Sequence, residues 1–126
     1  ASTMDIYATS SALAGVKIPS DREMDTHNLI PMLTGSKGLR KTMFFYRGYR
    51  LMAVREGSWK MHLMTQNAYG QPQPITPEIP ELYNLDTDPS EKYNLSQNNE
   101  VVIQLLQETI DIHKKTVTPV ASELEK

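Results

Sequence analysis

Lys60 and His62 are the two side chains of this sequence best placed to act together on a ligand. They alternate with Trp59 and Met61, so in an extended strand the ammonium and the imidazole project from one face. Together they can hydrogen-bond an anionic or hydroxylated group. Gln66 follows closely and adds an amide. We expect His62, Lys60 and Gln66 to bind a substrate; the alternative is a solvated polar face on a half-exposed sheet.

Two aspartates, Asp86 and Asp88, have the spacing with which a calcium-binding loop begins. Such a loop needs a glycine at its sixth position and a bidentate glutamate at its twelfth. Those positions hold Glu91 and Gln97 in this chain. We therefore assign the two aspartate carboxylates to a turn rather than to a metal ion.

The other basic side chains are expected to have structural roles. His27 has no potential metal ligand beside it except Asp25, so no metal site is predicted there. His113 lies near the end of a predicted helix, where the helix dipole favours its cation. The strand arginines can bind sulfate bidentately, but we favour a wet sheet surface or pairing with Glu56. These arginines are Arg47, Arg50 and Arg55.

The composition indicates an ordinary folded protein. The chain has 126 residues, enough for one domain, of which 39% are hydrophobic and 22% charged. The net charge of −2 does not indicate a nucleic acid as partner. No apolar run approaches the ~20 residues of a membrane span. Without cysteine the chain has no disulfide and no cysteine–zinc site, and its compartment stays open.

Residues 1–35 are predicted to be a helical lead-in. Ser2 and Asp5 have the spacing of a capping box, which starts a helix, and Gly15 followed by Pro19 ends it. This first helix carries apolar side chains on more than one side, which favours cover from two directions. A second short helical segment and a linker are predicted after it, at 28–33 and 35–38.

Residues 41–95 are predicted to form four short antiparallel strands. Side chains alternate between two faces along this region, and glycines at 48 and 57 allow hairpin turns. A proline-rich loop at 67–80 precedes the fourth strand. The side chains of the third strand that are expected to face the core are Trp59, Met61 and Leu63.

The fourth strand is predicted to run into a capped helical turn. Asp88 has the position of an N-cap, Pro89 that of the first helical residue and Glu91 that of the partner in a capping box. Asn94 ends this turn, and a final helix follows at 98–117. Its inner stripe is Val102, Leu105, Leu106, Thr109, Ile110 and His113. The fold class is therefore α+β, a small four-stranded antiparallel sheet packed against a C-terminal helix, with helical segments before it.

The pattern Leu-Tyr-Asn-Leu-x-x-Asp-Pro-x-Glu-x-x-Asn-Leu within residues 81–95 resembles the C-terminal signature of the arylsulfatase family. Further segments resemble other landmarks of that family and occur in the family's order. They are residues 2–9 with 12–19, 25–35, 44–48 and 51–62. The resemblance covers roughly residues 1–100 and implies one unit over 1–126, the C-terminal subdomain of an alkaline-phosphatase-like sulfatase.

The resemblance implies a parent enzyme that hydrolyses sulfate esters of carbohydrates or aryl alcohols, with a formylglycine nucleophile and a calcium ion. Formylglycine arises from a Cys-or-Ser-x-Pro-x-Arg motif, which this sequence lacks, since Pro19-Ser-Asp-Arg22 has the wrong order. We therefore expect no catalytic residue and no metal ligand in this chain. Its expected partner is an N-terminal catalytic domain of the same protein, encoded before Ala1.

In the resembled family, the histidine of the Lys-x-His pattern lies beside the substrate cleft, and the family implies a periplasmic or secreted location. Two alternatives to the sulfatase stay open. One is a non-catalytic module that binds glycans or a protein. The other is the C-terminal part of a related phosphatase or phosphonate hydrolase, because the residue that decides the chemistry is not in this sequence.

Overall fold

The computed structural model describes residues 1–22, 24–36, 42–66 and 73–118. The chain forms two compact units, Ala1–Lys41 and Thr42–Lys126. The end of the predicted linker, at residues 37–38, lies outside the described residues, as does the first part of the predicted loop, at 67–72.

The first unit contains helix α1 (Asp5–Leu13), whose N-cap is Met4 rather than the predicted Ser2. The side chains of Ser2 and Asp5 instead accept hydrogen bonds in the turn just before the helix. The Ser2 amide donates to Asp5 Oδ2 at 2.6 Å, and the Met4 amide donates to Ser2 Oγ at 3.2 Å. Gly15 has φ 69°, and beyond it the Val16 amide donates to the Ser11 carbonyl at 2.8 Å. Because only glycine adopts such a φ without strain, this geometry ends the helix where the sequence predicts.

The segment after α1 is hydrogen-bonded back to that helix. Thr26 Oγ1 donates to the Met4 carbonyl at 2.7 Å, and the His27 amide donates to Asp5 Oδ1 at 3.0 Å. Asp5 is 1% exposed, and the amides of His27 and Ser2 satisfy the carboxylate, which water does not reach. The segment then enters the short helix α2 (Ile30–Leu33). His27 therefore lies in the packing of this unit.

The second unit contains one antiparallel sheet, in which the strands lie side by side in chain order. Two-residue turns with glycine at φ 57° join the first three strands, as the sequence predicts for Gly48 and Gly57. The register of β1 against β2 shifts between Phe45 and Tyr46, which marks a bulge. The strands are β1 (Thr42–Arg47), β2 (Arg50–Glu56), β3 (Trp59–His62) and β4 (Glu81–Asn84).

Helix α3 (Glu100–Thr116) packs across one face of this sheet and forms the core. The predicted α+β class is confirmed, and Met61 lies at the centre of the core with Trp59 and Leu63 packed against it. Leu105 does not belong to the inner stripe, because it is 58% exposed while Ile103 packs inward. The fully buried members of the core are Val54, Met61, Leu82, Leu106 and Ile110.

The capped helical turn predicted after β4 is wrong. Asp88 Oδ2 accepts from the amides of Lys92 and Tyr93 at 2.7 and 2.8 Å, so it holds an irregular loop closed instead of starting a helix. Helical structure resumes only at a 3-10 turn, Ser96–Asn98. Before that turn, Asn94 Oδ1 accepts from the Leu82 amide, and the Leu95 amide donates to the Leu82 carbonyl at 2.8 Å. The loop thereby satisfies the outer edge of β4.

The core makes a testable prediction about two isoleucines of α3. Ile110 is 0% exposed and Ile112 is 65% exposed. In the intact protein, Ile110→Ala should lower the free energy of unfolding by about 2–5 kcal/mol, because it leaves a cavity under the sheet. Ile112→Ala removes the same atoms from the solvent side and should change it by less than about 1 kcal/mol. Equal losses in denaturant unfolding would contradict this core.

Candidate functional site

A cavity of about 340 Å³ lies on the face of the sheet opposite α3. Its strand residues alternate with the core residues, so the pleat directs them away from the helix. The residues that line it are Phe45, Arg47, Met52, Ala53, Lys60, His62, Met64, Thr65, Gln66, Glu81, Tyr83 and Glu91. The structure therefore brings the three predicted ligand-binding residues, Lys60, His62 and Gln66, into one wall.

The Glu91 carboxylate binds both basic side chains of this wall, Lys60 and His62. Lys60 Nζ lies 2.6 Å from Glu91 Oε1, and His62 Nε2 lies 2.6 Å from Glu91 Oε2. The three side chains are 17%, 22% and 26% exposed, in the order Lys60, His62 and Glu91. Water therefore screens these contacts less than it would at the surface. We call Lys60, Glu91 and His62 the triad.

The loop that carries Glu91 is built to turn its carboxylate toward the sheet. Glu91 has φ 54°, in the left-handed region that residues other than glycine rarely occupy. The Glu91 amide donates to the Asp88 carbonyl at 3.2 Å, and the Asp88 carboxylate holds the next two amides. These bonds offset the unfavourable backbone conformation. Asp88 is therefore a positioning residue for Glu91.

Aromatic rings fix the other sides of the triad. Lys60 Nζ lies 5.0 Å from the ring centroid of Phe45, within the range of a cation–π contact. The His62 ring meets the Tyr83 ring edge to face, with centroids 5.7 Å apart. The Tyr83 hydroxyl donates to Glu81 Oε2 at 2.9 Å. Burial, and then this bond to Glu81, raise the pKa of Tyr83 to about 12, so its hydroxyl stays a donor at neutral pH.

The pKa of Glu91 reflects two opposing causes. Burial alone would raise it, but the hydrogen bonds from Lys60 and His62 together outweigh burial, and the pKa falls below the ordinary value of 4.5. The carboxylate is therefore ionised at neutral pH. Within the triad this charge is bound by Lys60 and His62.

The remaining predicted residues have separate positions. Arg47 hydrogen-bonds Gln66 and so joins the cavity. Arg50 Nη1 donates to Gln73 Oε1 at 3.2 Å, and Arg55 Nε donates to the Gly57 carbonyl at 3.0 Å. His113 lies on the helix side of the sheet, where its ring stacks on Phe44 with centroids 3.6 Å apart and Nε2 is 2.9 Å from the Tyr46 hydroxyl.

Sequence reasoning missed Glu91, Glu81 and Tyr83 as members of the cavity. Glu91 fits a capping box by its local spacing, and that local reading conceals a partner about thirty residues away. One signal was available. Lys60 and His62 are two basic residues on one face of a strand, so an acidic partner is expected near them. No acidic residue lies next to them on their own strand, so the partner must come from elsewhere in the sequence.

The described part of the chain does not fit the cofactors of a sulfatase. No group of three or more histidine, cysteine or acidic side chains that could hold a metal ion occurs there. The sequence has no cysteine that could become formylglycine. Asp86, which was considered for calcium, accepts a hydrogen bond from Ser58 instead.

The sheet, its covering helix and the signature after β4 define the small α+β layer found in sulfatases. Solved sulfatases share this fold. One is PsFucS1 sulfatase from Pseudoalteromonas sp., which superposes with a TM-score of 0.75 and a sequence identity of 22%. The superposition covers 89% of this chain and 25% of that chain. Another is Ps i-CgsB in complex with k-i-k-neocarrahexaose, with TM-score 0.61 and 22% identity over 96% and 26% of the two chains.

The sequence is also similar to those of sulfatases. The sequence model of the family described as the C-terminal region of aryl-sulfatase matches residues 38–126. The chain therefore belongs to this family. It is 33% identical to mouse (Mus musculus) N-acetylgalactosamine-6-sulfatase over 94% of this chain and 27% of that protein. It is 37% identical to bovine (Bos taurus) arylsulfatase A over 85% and 24%. The chain thus spans about a quarter of the length of the curated relatives it matches.

Of the helices in the described ranges, none combines the length and the apolar character that crossing a membrane requires.

The lowered pKa of Glu91 predicts a pH-dependent contribution to stability. A carboxylate whose pKa is lower in the folded state stabilises the fold above its unfolded pKa and loses this effect as pH falls through the folded value. Glu91→Gln in the intact protein should therefore lower the free energy of unfolding by about 1–3 kcal/mol at neutral pH. The difference from wild type should shrink below pH 4.5.

Thermal unfolding midpoints, measured from about pH 7 to about pH 3, test this expectation. The matched control is Glu78→Gln, which makes the same change at an exposed position. A Glu91→Gln deficit that stays constant over the whole range would show that the charge of Glu91 does not stabilise the fold.

Proposed function

We propose that the intact protein hydrolyses sulfate esters of carbohydrates or aryl alcohols, and that this chain forms part of its substrate pocket. The family membership of residues 38–126 supports the class of reaction. The names of the relatives, N-acetylgalactosamine-6-sulfatase and arylsulfatase A, support both substrate classes. The carbohydrate class gains further support from a neighbour in fold that was solved in complex with a neocarrahexaose.

The observation that carries the pocket assignment is the convergence of Lys60, His62 and Gln66 on one cavity. Its volume of about 340 Å³ falls in the range of small-ligand sites, about 300–1,000 Å³. Its wall combines hydrogen-bond donors with acceptors, and Phe45 and two methionines supply apolar surface. Such a wall suits a sugar, which has hydroxyl groups on its rim and C–H groups on its faces.

The role proposed for this chain is to bind and orient the substrate. The sequence has no Cys-or-Ser-x-Pro-x-Arg motif, and the described residues include no group of three or more His, Cys, Asp or Glu side chains that could hold a metal ion. The family resemblance assigns the formylglycine and the calcium ion to an N-terminal catalytic domain, the partner proposed for this chain. In that arrangement, Lys60 and His62 donate hydrogen bonds to the part of the substrate that does not react, and Gln66 adds its amide.

Membership of the aryl-sulfatase family favours this proposal over the two alternatives. A free-standing glycan- or protein-binding module would need no similarity to enzymes four times its length. A related phosphatase or phosphonate hydrolase would have relatives of that kind, whereas the matched relatives carry the names of sulfatases.

The pocket assignment predicts the effect of two substitutions in the intact enzyme. Lys60→Ala and His62→Ala each remove one donor of a hydrogen bond, which is worth about 1–3 kcal/mol. Each should therefore raise KM by about 5- to 150-fold and leave kcat within about threefold, because the donors contact the substrate away from the reacting sulfate.

Steady-state sulfate release from a sulfated disaccharide measures both constants. Lys114→Ala is the matched control, since this exposed lysine of α3 lies on the other side of the sheet. Unchanged KM in both variants would remove Lys60 and His62 from the substrate pocket.

A further inference from the structure

The charged side chains that line the cavity balance one another. Arg47 and Lys60 carry positive charge, and Glu81 and Glu91 carry negative charge. Apart from His62, the two cations and the two anions of this wall sum to zero.

We infer that this cavity accepts an uncharged sugar ring next to the sulfated one, and that Glu91 determines this preference. The inference rests on the proposed function and specifies the substrate class of the same site. An anionic sugar, such as a hexuronic acid, would meet Lys60 and His62 already bound to a carboxylate. It would also meet the carboxylates of Glu81 and Glu91 across the cavity.

The contacts of Lys60 and His62 show why an anion gains little here. A second carboxylate that binds either group must share it with Glu91, which is 2.6 Å from both. Repulsion between two carboxylates in one partly buried site is unfavourable. A hydroxyl group of a neutral sugar is not repelled by these carboxylates. It can donate to a carboxylate oxygen and, at the same time, accept from an ammonium or imidazole proton.

Because the loop fixes the position of Glu91, the fold itself sets the charge balance of the cavity. Its loop is closed by the Asp88 carboxylate and returned to β4 by Asn94. Glu91 is therefore held at the cavity whether or not a ligand is present. A carboxylate on a freely moving side chain would swing away from an incoming anion, whereas this one has a φ of 54° set by the loop around it.

The test uses the intact enzyme and two disaccharides that share a 6-sulfated N-acetylgalactosamine. The second sugar is a neutral hexose in one and a hexuronic acid in the other. The measured quantity is the ratio of kcat/KM for the hexose-linked to the hexuronate-linked substrate. Wild type should prefer the hexose, and Glu91→Gln, which removes one negative charge at nearly constant size, should reduce that ratio by at least about tenfold.

Two further variants separate charge from structure. Glu91→Asp keeps the charge but shortens the side chain, and it should keep a ratio close to that of wild type even if its activity falls. Lys60→Met makes the opposite change of charge and should raise the ratio. The Lys60→Met arm also covers the case in which Glu91→Gln does not fold.

Three results would overturn the inference. They are a wild-type preference for the hexuronate, a Glu91→Gln variant that loses activity equally on both substrates, and a Lys60→Met variant that lowers the ratio. Failure of the proposed function has a different signature, since wild type would then release sulfate from no ester at all.

Discussion

The carboxylate of Glu91, bound at once to Lys60 and His62, is the interaction on which the cavity depends. The partly buried ammonium of Lys60 is unfavourable without an anion beside it, and His62 on the same face binds the same anion. The protein supplies that anion from a loop on the far side of β4. To bring Glu91 to these two side chains, the loop adopts a left-handed φ at Glu91. The Asp88 carboxylate holds the loop closed by accepting from the Lys92 amide. The cavity thus has a fixed wall in which Glu91 is bound to both Lys60 and His62.

In the proposed function, one face of the sheet supplies stability and the other binds substrate. One face buries Val54, Met61 and Leu82 beneath α3, which gives the sheet its hydrophobic core. The alternate residues of the same strands point into the cavity, so the core sets the positions of Lys60 and His62 through the pleat. The return of Asn94 and Leu95 to Leu82 joins both functions, because it protects the edge of β4 and fixes the loop that carries Glu91.

Periodicity was enough to predict the strands, the final helix and the face on which Lys60 and His62 lie. Local rules also predicted the approximate start of α1, because both side chains that bond in the turn before it stand within four residues. The same rules failed at Asp88, where Pro89 and Glu91 fit a helix cap equally well by spacing. There the decisive contacts join Glu91 to β3, about thirty residues away, and tertiary packing overrides the local preference. Short-range spacing indicates at most that Lys60 and His62 need an acidic partner, and it does not identify Glu91 as that partner.

The central claim is that the Lys60–Glu91–His62 wall contacts substrate. The most direct test is a crystal structure of the intact protein, inactivated at its nucleophile, with a sulfated disaccharide bound. The account predicts the non-sulfated sugar in the cavity, with its hydroxyl groups hydrogen-bonded to Lys60, His62 or Glu91, and the Lys60–Glu91 and His62–Glu91 contacts still intact. A substrate bound elsewhere, with another part of the protein packed into this cavity, would contradict it.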